Sequence, residues 1–282
     1  MSLPPIEPGR PAGARGRSSI ATAGRAVAVG AVLAAALTFP ARAGAAPIFA
    51  LADRAALVMV GTVRAVRAHG DGKYTVFHLE PGRVLKGEPA AAGSVALVQE
   101  MLFASTAPLF DRGTRTLVFA LPLPDYTAYR KALPAGRYVQ WAERLDTRAE
   151  VAAFADPDLV EPVARYLAVR DDPEALARAL VAMIPAASAR LRSDALTALA
   201  TRPELAPLLD AGTLAPLAPW LAEQAVPVEE RARVLVALGR VRAAGIDALA
   251  AAPASGDGPL AAAALDALVS AGRLPSGSAY KA

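Results

Sequence analysis

The chain has 282 residues, of which 70 are Ala, 26 Arg and only 4 Lys, and it contains no Cys. The missing cysteine excludes disulfides, thiolate metal sites, thiol nucleophiles and a lipidated cysteine, and aromatics at 5% mean that burial comes from many small apolar contacts. The formal charge of +4 would suit an anionic partner, but residues 1–45 hold five Arg (Arg10, Arg15, Arg17, Arg25, Arg42) against Glu7 alone. The remainder carries 25 basic and 25 acidic residues, so the electrostatic footprint of a nucleic-acid binder is missing.

Residues 1–45 follow the pattern of an export leader. A basic, Pro/Gly-rich start ends at Arg25, the apolar run Ala26 to Leu37 follows, and after Pro40 comes the small-residue site Ala43-Gly44-Ala45. Cleavage after Ala45 leaves Ala46 first. The apolar stretch of about 12 residues falls short of the roughly 20 that span a bilayer, so the chain meets the membrane only transiently, during export. No twin-Arg pair is present, which favours the general secretory route and a periplasmic or extracellular destination.

The mature chain divides by composition. Ala accounts for 19 of the 105 residues from 46 to 150 but 38 of the 132 from 151 to 282, which predicts a β-rich front and a helical back. Residues 55–68, ALVMVGTVRAVRAH, form a β-branched run in which Val58, Val60 and Thr62 share one face while Leu57, Met59 and Val63 share the other. Both faces look covered at its start. His69-Gly70-Asp71-Gly72 supplies a turn, and Lys73 to Leu85 returns as a strand broken at Pro81-Gly82. Three shorter strands are predicted at 94–99, 115–121 and 137–141, and five strands in about 90 residues suit a small closed barrel.

The series AALVMVGTV (55–63), YTVFHLEPGRVLKGE (74–88), TLVFAL (116–121) and GRYVQW (136–141) resembles the domain shared by netrin modules and tissue inhibitors of metalloproteinases. That resemblance implies an OB-like barrel over about 95 residues. Its most specific piece is the strand leading into Val84-Leu85-Lys86-Gly87. The inhibitors of that family chelate zinc through an N-terminal Cys, which this sequence lacks, so only the fold is implied.

From Asp156 the apolar period becomes 3.6. Asp156-Pro157 and Asp172-Pro173 each set an N-cap before Pro at the first helical position, with Leu159, Val163 and Leu167 striping the first helix and Leu176, Leu180 and Met183 the second. Further helices are predicted at 188–200, 203–210, 213–224, 227–238, 243–252 and 259–271, with a kink at Pro219. A phrase recurs at Ala195–Leu199, Val234–Leu238 and Ala264–Leu268, the self-similarity of a helical solenoid. Residues 188–272 resemble HEAT-like repeats; an irregular helical bundle is the competing fold. The fold class is therefore α+β in two domains, 46–150 an OB-like barrel and 156–272 a helical repeat array, with 273–282 a disordered tail.

Chemistry-bearing groups are sparse. His69 and His78 read as solvated polar residues rather than zinc ligands, and no Gly-x-Ser-x-Gly elbow occurs. Gly-rich Ala254–Gly258 lacks the Lys of a phosphate loop. Glu143, Asp146 and Glu150 imitate a hydrolytic carboxylate pair, although Arg144 and Arg148 among them suit a solvated face better.

The best contact candidate is PLPDYTAYRK, 122–131, where Tyr126, Tyr129, Arg130 and Lys131 cluster between two strands, since Tyr and Arg most often carry interface energy. A loop folded back with its tyrosines as local core fits the same residues. A second candidate is Trp220 with Arg231 and Arg233, against a Trp that fills a gap in an Ala-rich core. The resulting expectation is an exported, non-enzymatic protein that binds a protein or peptide, with no cofactor and no nucleic acid. The alternatives are a carboxylate-dependent hydrolase using Glu143 or Asp146, and a protease inhibitor acting through the barrel with an exposed N-terminus at Ala46 or Pro47.

Overall fold

In the computed structural model, which describes residues 46–89, 93–101, 108–142, 156–186, 188–256 and 258–273, the β-branched run becomes β1 (Leu57–His69), and β2 (Tyr74–Lys86) returns antiparallel to it. Gly70, Asp71 and Gly72 join them with φ of 58°, 55° and 83°, the left-handed conformations that Gly and Asp adopt at least cost. β3 (Val95–Glu100), β4 (Arg115–Pro122) and β5 (Tyr138–Trp141) complete a five-stranded sheet. β1 pairs with β2 and β4, β2 with β3, and β5 runs parallel to β3 and antiparallel to β4, so every strand has two hydrogen-bonded neighbours.

The expected break at Pro81-Gly82 is absent. The register shifts between the pairs Met59↔Val84 and Gly61↔Pro81, and such an irregularity absorbs a residue without an N–H while β2 continues. At the start of β1, Leu57 through Val60 are all no more than 4% exposed, so both faces are covered as the sequence implied.

A helix that the sequence did not announce, α1 (Ile48–Arg54), precedes the sheet. It buries Ile48, Phe49, Leu51 and Ala52 and packs against both the sheet and the helical region that follows. Between β4 and β5 lies a second short helix, α2 (Thr127–Ala132).

The helical region opens with a 3₁₀ turn at Pro157–Leu159, then α3 (Val160–Val169), α4 (Pro173–Met183) and α5 (Ala189–Ala200). Asp156, Asp172 and Ser188 accept the N–H groups of Asp158, Ala175 and Leu191, satisfying donors that have no partner inside a helix. Residues 203–208 form a 3₁₀ segment rather than an α-helix. The single helix expected at 213–224 is two, α6 (Ala211–Leu214) and α7 (Leu217–Ala222). The break falls at Ala215-Pro216, and Pro219 sits in the first turn of α7, where no intrahelical bond to its nitrogen is required. α8 (Val228–Val241), α9 (Ile246–Ala254) and α10 (Pro259–Ser270) follow.

The recurring phrase marks inward helix faces. Leu196 and Leu199 in α5, Leu235 and Leu238 in α8, and Ala264 and Ala267 in α10 are each no more than 2% exposed. α8 packs on both α5 and α10. At its closest approach to α10, a Cβ built on Gly239 would lie 2.4 Å from Ala267 Cα, so only glycine allows this spacing. One apolar cluster runs without interruption from Phe77 and Phe119 in the sheet, through Phe49 and Tyr166, to Leu235 and Leu268.

Candidate functional site

The segment 122–131 takes its shape from α2 lying against the outer side of the sheet. Leu133 joins Val76 and Val98 in a small apolar cluster, with Tyr74 and Tyr129 packed on it. Tyr129 donates from its hydroxyl to Glu100 at 2.7 Å and meets the Tyr74 ring edge-on at 5.4 Å. Burial, followed by the Glu100 hydrogen bond, pushes its phenol well above the usual range, so it stays a donor. Tyr126 stacks on the outer side of Tyr129 at 5.8 Å and is 62% exposed. Arg130 pairs with Asp125 at 3.1 Å, and Lys131 is exposed. The four candidates are thus neighbours with different employment: Tyr129 anchors the helix, Arg130 is compensated, and Tyr126 and Lys131 face solvent.

Beside α2 lies a cleft of about 720 Å³. Leu57, Leu121, Leu123, Leu133 and Val139 form its apolar wall. Its charged rim comprises Glu88, Asp125, Arg130 and Arg137. Among the described residues Arg130 and Asp125 are paired with each other, whereas Glu88 and Arg137 are exposed and have no ion-pair partner. The wall draws on β1, β4, β5 and both flanks of α2, so the contact segment foreseen in the sequence is only one side of it.

A usable signal lay in three Leu-Pro dipeptides, 121-122, 123-124 and 133-134. Proline holds its predecessor extended and cannot donate to a ladder, which leaves apolar side chains beside backbone that secondary structure does not cover. Glu88 and Arg137, 49 positions apart in sequence, gave no such signal.

The second candidate is differently placed. Trp220 is 6% exposed, and the guanidinium over its ring, at 5.2 Å, belongs to Arg192 rather than to Arg231 or Arg233. Arg192 also donates to the carbonyls of Ile184 (2.9 Å) and Ala186 (3.0 Å) and pairs with Glu230. Arg231 donates to the Leu221 carbonyl at 2.9 Å, and Arg233 is exposed. Trp220, Arg192 and Arg231 therefore brace helix against helix.

The densest polar chemistry joins α1 to its surroundings. At its N-terminus Asp194 accepts the Ile48 N–H at 3.1 Å and an Arg190 N–H at 2.6 Å, while Arg190 also donates to the Ala46 carbonyl at 2.6 Å. Burial pushes the Asp194 carboxyl above its usual value against the opposing pull of Arg190. At the C-terminus Lys86 donates to the carbonyls of Ala52 (2.9 Å) and Asp53 (2.8 Å), satisfying acceptors at the negative end of the helix. The Asp53 carboxylate accepts from the Tyr166 hydroxyl at 2.7 Å and from Arg202 at 2.6 Å. Burial and the Asp53 bond hold the Tyr166 phenol protonated. Nothing in the residue types of Asp53, Tyr166, Asp194 and Arg202 taken singly pointed to this set, whose members are up to 149 residues apart.

His78 is part-exposed, with its imidazole pKa lowered by burial, Arg67 and His69. Among the described residues no three His, Asp or Glu side chains converge as a metal site, and no helix is long and apolar enough to cross a membrane. Ala43 and Ala45, the carboxylates Glu143, Asp146 and Glu150, and residues 274–282 lie outside the described residues. No protein family, curated protein or solved structure matches the chain, so the functional reading rests on the cleft and its surroundings.

Proposed function

We propose that this is an exported, non-enzymatic binding protein whose cleft beside α2 receives an apolar peptide, displayed on a scaffold of OB-like barrel and HEAT-like helices. The observation that carries the reading is the cleft itself. Its volume of about 720 Å³ falls in the roughly 300–1,000 Å³ range of ligand sites, and its walls combine aliphatic side chains with Tyr129 and Tyr138, with a few charges at the rim. The strand order β1-β2-β3-β5-β4 with β3 parallel to β5 supports the OB-like reading, a fold whose face and loops serve as ligand platforms. The inward faces of α5, α8 and α10 support the repeat reading.

Ala46 is held through its carbonyl by Arg190 and is half-buried. A free N-terminal arm, which inhibition of a protease through the sheet would need, is not what this geometry favours.

Panning a random heptapeptide library on the immobilised full chain tests the proposal, with Leu121→Arg as comparator. Leu121 is only half-buried, so the variant folds, and equal thermal melts of the two proteins confirm this. Apolar sequences enriched on the parent chain and lost on the variant support the reading; identical enrichment on both refutes it.

A further inference from the structure

The rim of the cleft narrows the class of occupant. Of its four charges, Asp125 and Arg130 satisfy each other at 3.1 Å, which leaves one anion, Glu88, and one cation, Arg137, exposed and unpaired among the described residues beside an aliphatic wall. An internal segment made only of apolar residues brings no charge of its own to either group. A single-headed amphiphile such as a fatty acid satisfies Arg137 and leaves Glu88 without a partner. A short peptide with free ends carries one charge of each sign separated by apolar side chains, which is the complement of this rim.

We propose that the cleft binds short apolar peptides as whole molecules, with the carboxylate end at Arg137, the ammonium end at Glu88, and the side chains against Leu121, Leu123 and Leu133. This rests on the reading of the cleft as a peptide site and adds the recognition of chain ends. The cleft volume of about 720 Å³ sets the scale at a few residues rather than a folded partner. Solvent-facing ion pairs contribute about 0.2–1 kcal/mol, so each end accounts for an affinity difference of about 1.4- to five-fold at the conversion of 1.4 kcal/mol per decade.

The experiment is calorimetric titration of the full chain with the tetrapeptide Ala-Leu-Val-Leu in four forms: unmodified, N-acetylated, C-amidated and doubly capped. Decanoate serves as the single-headed comparator. The expected result is that each cap weakens binding by about 1.4- to five-fold, that Glu88→Gln removes the sensitivity to acetylation, and that Arg137→Gln removes the sensitivity to amidation. Both positions are exposed, so neither variant threatens the fold.

Four equal affinities overturn the recognition of chain ends while leaving a peptide cleft in place. Decanoate binding as tightly as the free peptide, and more tightly still to Glu88→Gln, overturns it in favour of an amphiphile. No binding of any form, together with a library that enriches nothing, overturns both this proposal and the peptide cleft beneath it.

Discussion

Replacing Phe49 by Ala tests whether α1 ties the sheet and the helices into one folding unit. Phe49 is 1% exposed and its ring centroid lies 4.5 Å from that of Tyr166 in α3. Deleting a buried Phe side chain costs about 3–5 kcal/mol in lost transfer energy and residual cavity, a large part of the roughly 5–15 kcal/mol that holds a typical native state together. With a urea slope of about 2–3 kcal/mol per molar, the midpoint should fall by roughly 1–2.5 M.

The two tryptophans make the assay local, since Trp141 lies in β5 and Trp220 in α7. Trp220→Phe leaves a reporter of the sheet, and Trp141→Phe leaves one of the helices. Because a single apolar cluster crosses both regions, the two reporters should share one midpoint, and Phe49→Ala should move both equally. Separate midpoints, with Phe49→Ala shifting only the Trp220 signal, would refute the argument and show that the two regions fold independently.

Gly239→Ala should destabilise the chain although Ala is the better helix former by about 1 kcal/mol. The new methyl would meet Ala267 Cα at 2.4 Å and its carbonyl oxygen at 2.5 Å, which is backbone that cannot step aside; a melting temperature unchanged or raised contradicts this. Gly87→Ala should cost more, because φ is +74° and its Cβ would stand 2.1 Å from the Ala56 carbonyl oxygen; soluble, fully stable protein would count against it.

The raised pKa of Asp194 means that the folded state takes up this proton more readily than the unfolded chain does. Stability from this group is therefore present below the unfolded value of 3.8 and is lost as pH rises through the folded pKa. Relative to Asp194→Asn, the parent chain should lose ground in urea midpoint as pH increases across that window. A constant difference from pH 4 to 7 would be the contrary result. Tyr126→Ala, at a ring 62% exposed, should change the melting temperature little, within the roughly 0.5 kcal/mol usual for surface sites, whereas Tyr129→Ala should lower it clearly because it strips the packing from Leu133 and Val98.

Local chemistry made the element sequence legible. The Asp-Pro pairs at 156 and 172 start the helical region because a capping carboxylate and a preset φ act within four residues. The β-branched run at 57–63 and the turn at 69–72 likewise encode β1, its turn and the return of β2. The recurring Ala/Leu phrase was read from the sequence as the self-similarity of a solenoid, and in the structure it falls on largely buried stretches of α5, α8 and α10. α1 was hidden because IFALADR is too short to declare a helix by period; it is held by groups distant in sequence, Lys86, Arg190 and Asp194.

The candidate site divides in the same way. Tyr126, Tyr129, Arg130 and Lys131 could be picked out by residue type and clustering, but not their directions. Tyr129 turns inward because the sheet offers it Val98 and Glu100, and Tyr126 then has only the outer side of that ring left to stack on. The sequence by itself determined the five strands and the longer helices from Val160 onward, because their apolar periods are local, but neither α1 nor α2. The tertiary structure alone decided that Glu88 and Arg137 share a rim and that α1 is clamped by α5 and β2, because a pairing between residues far apart in sequence leaves no trace in local periodicity or propensity.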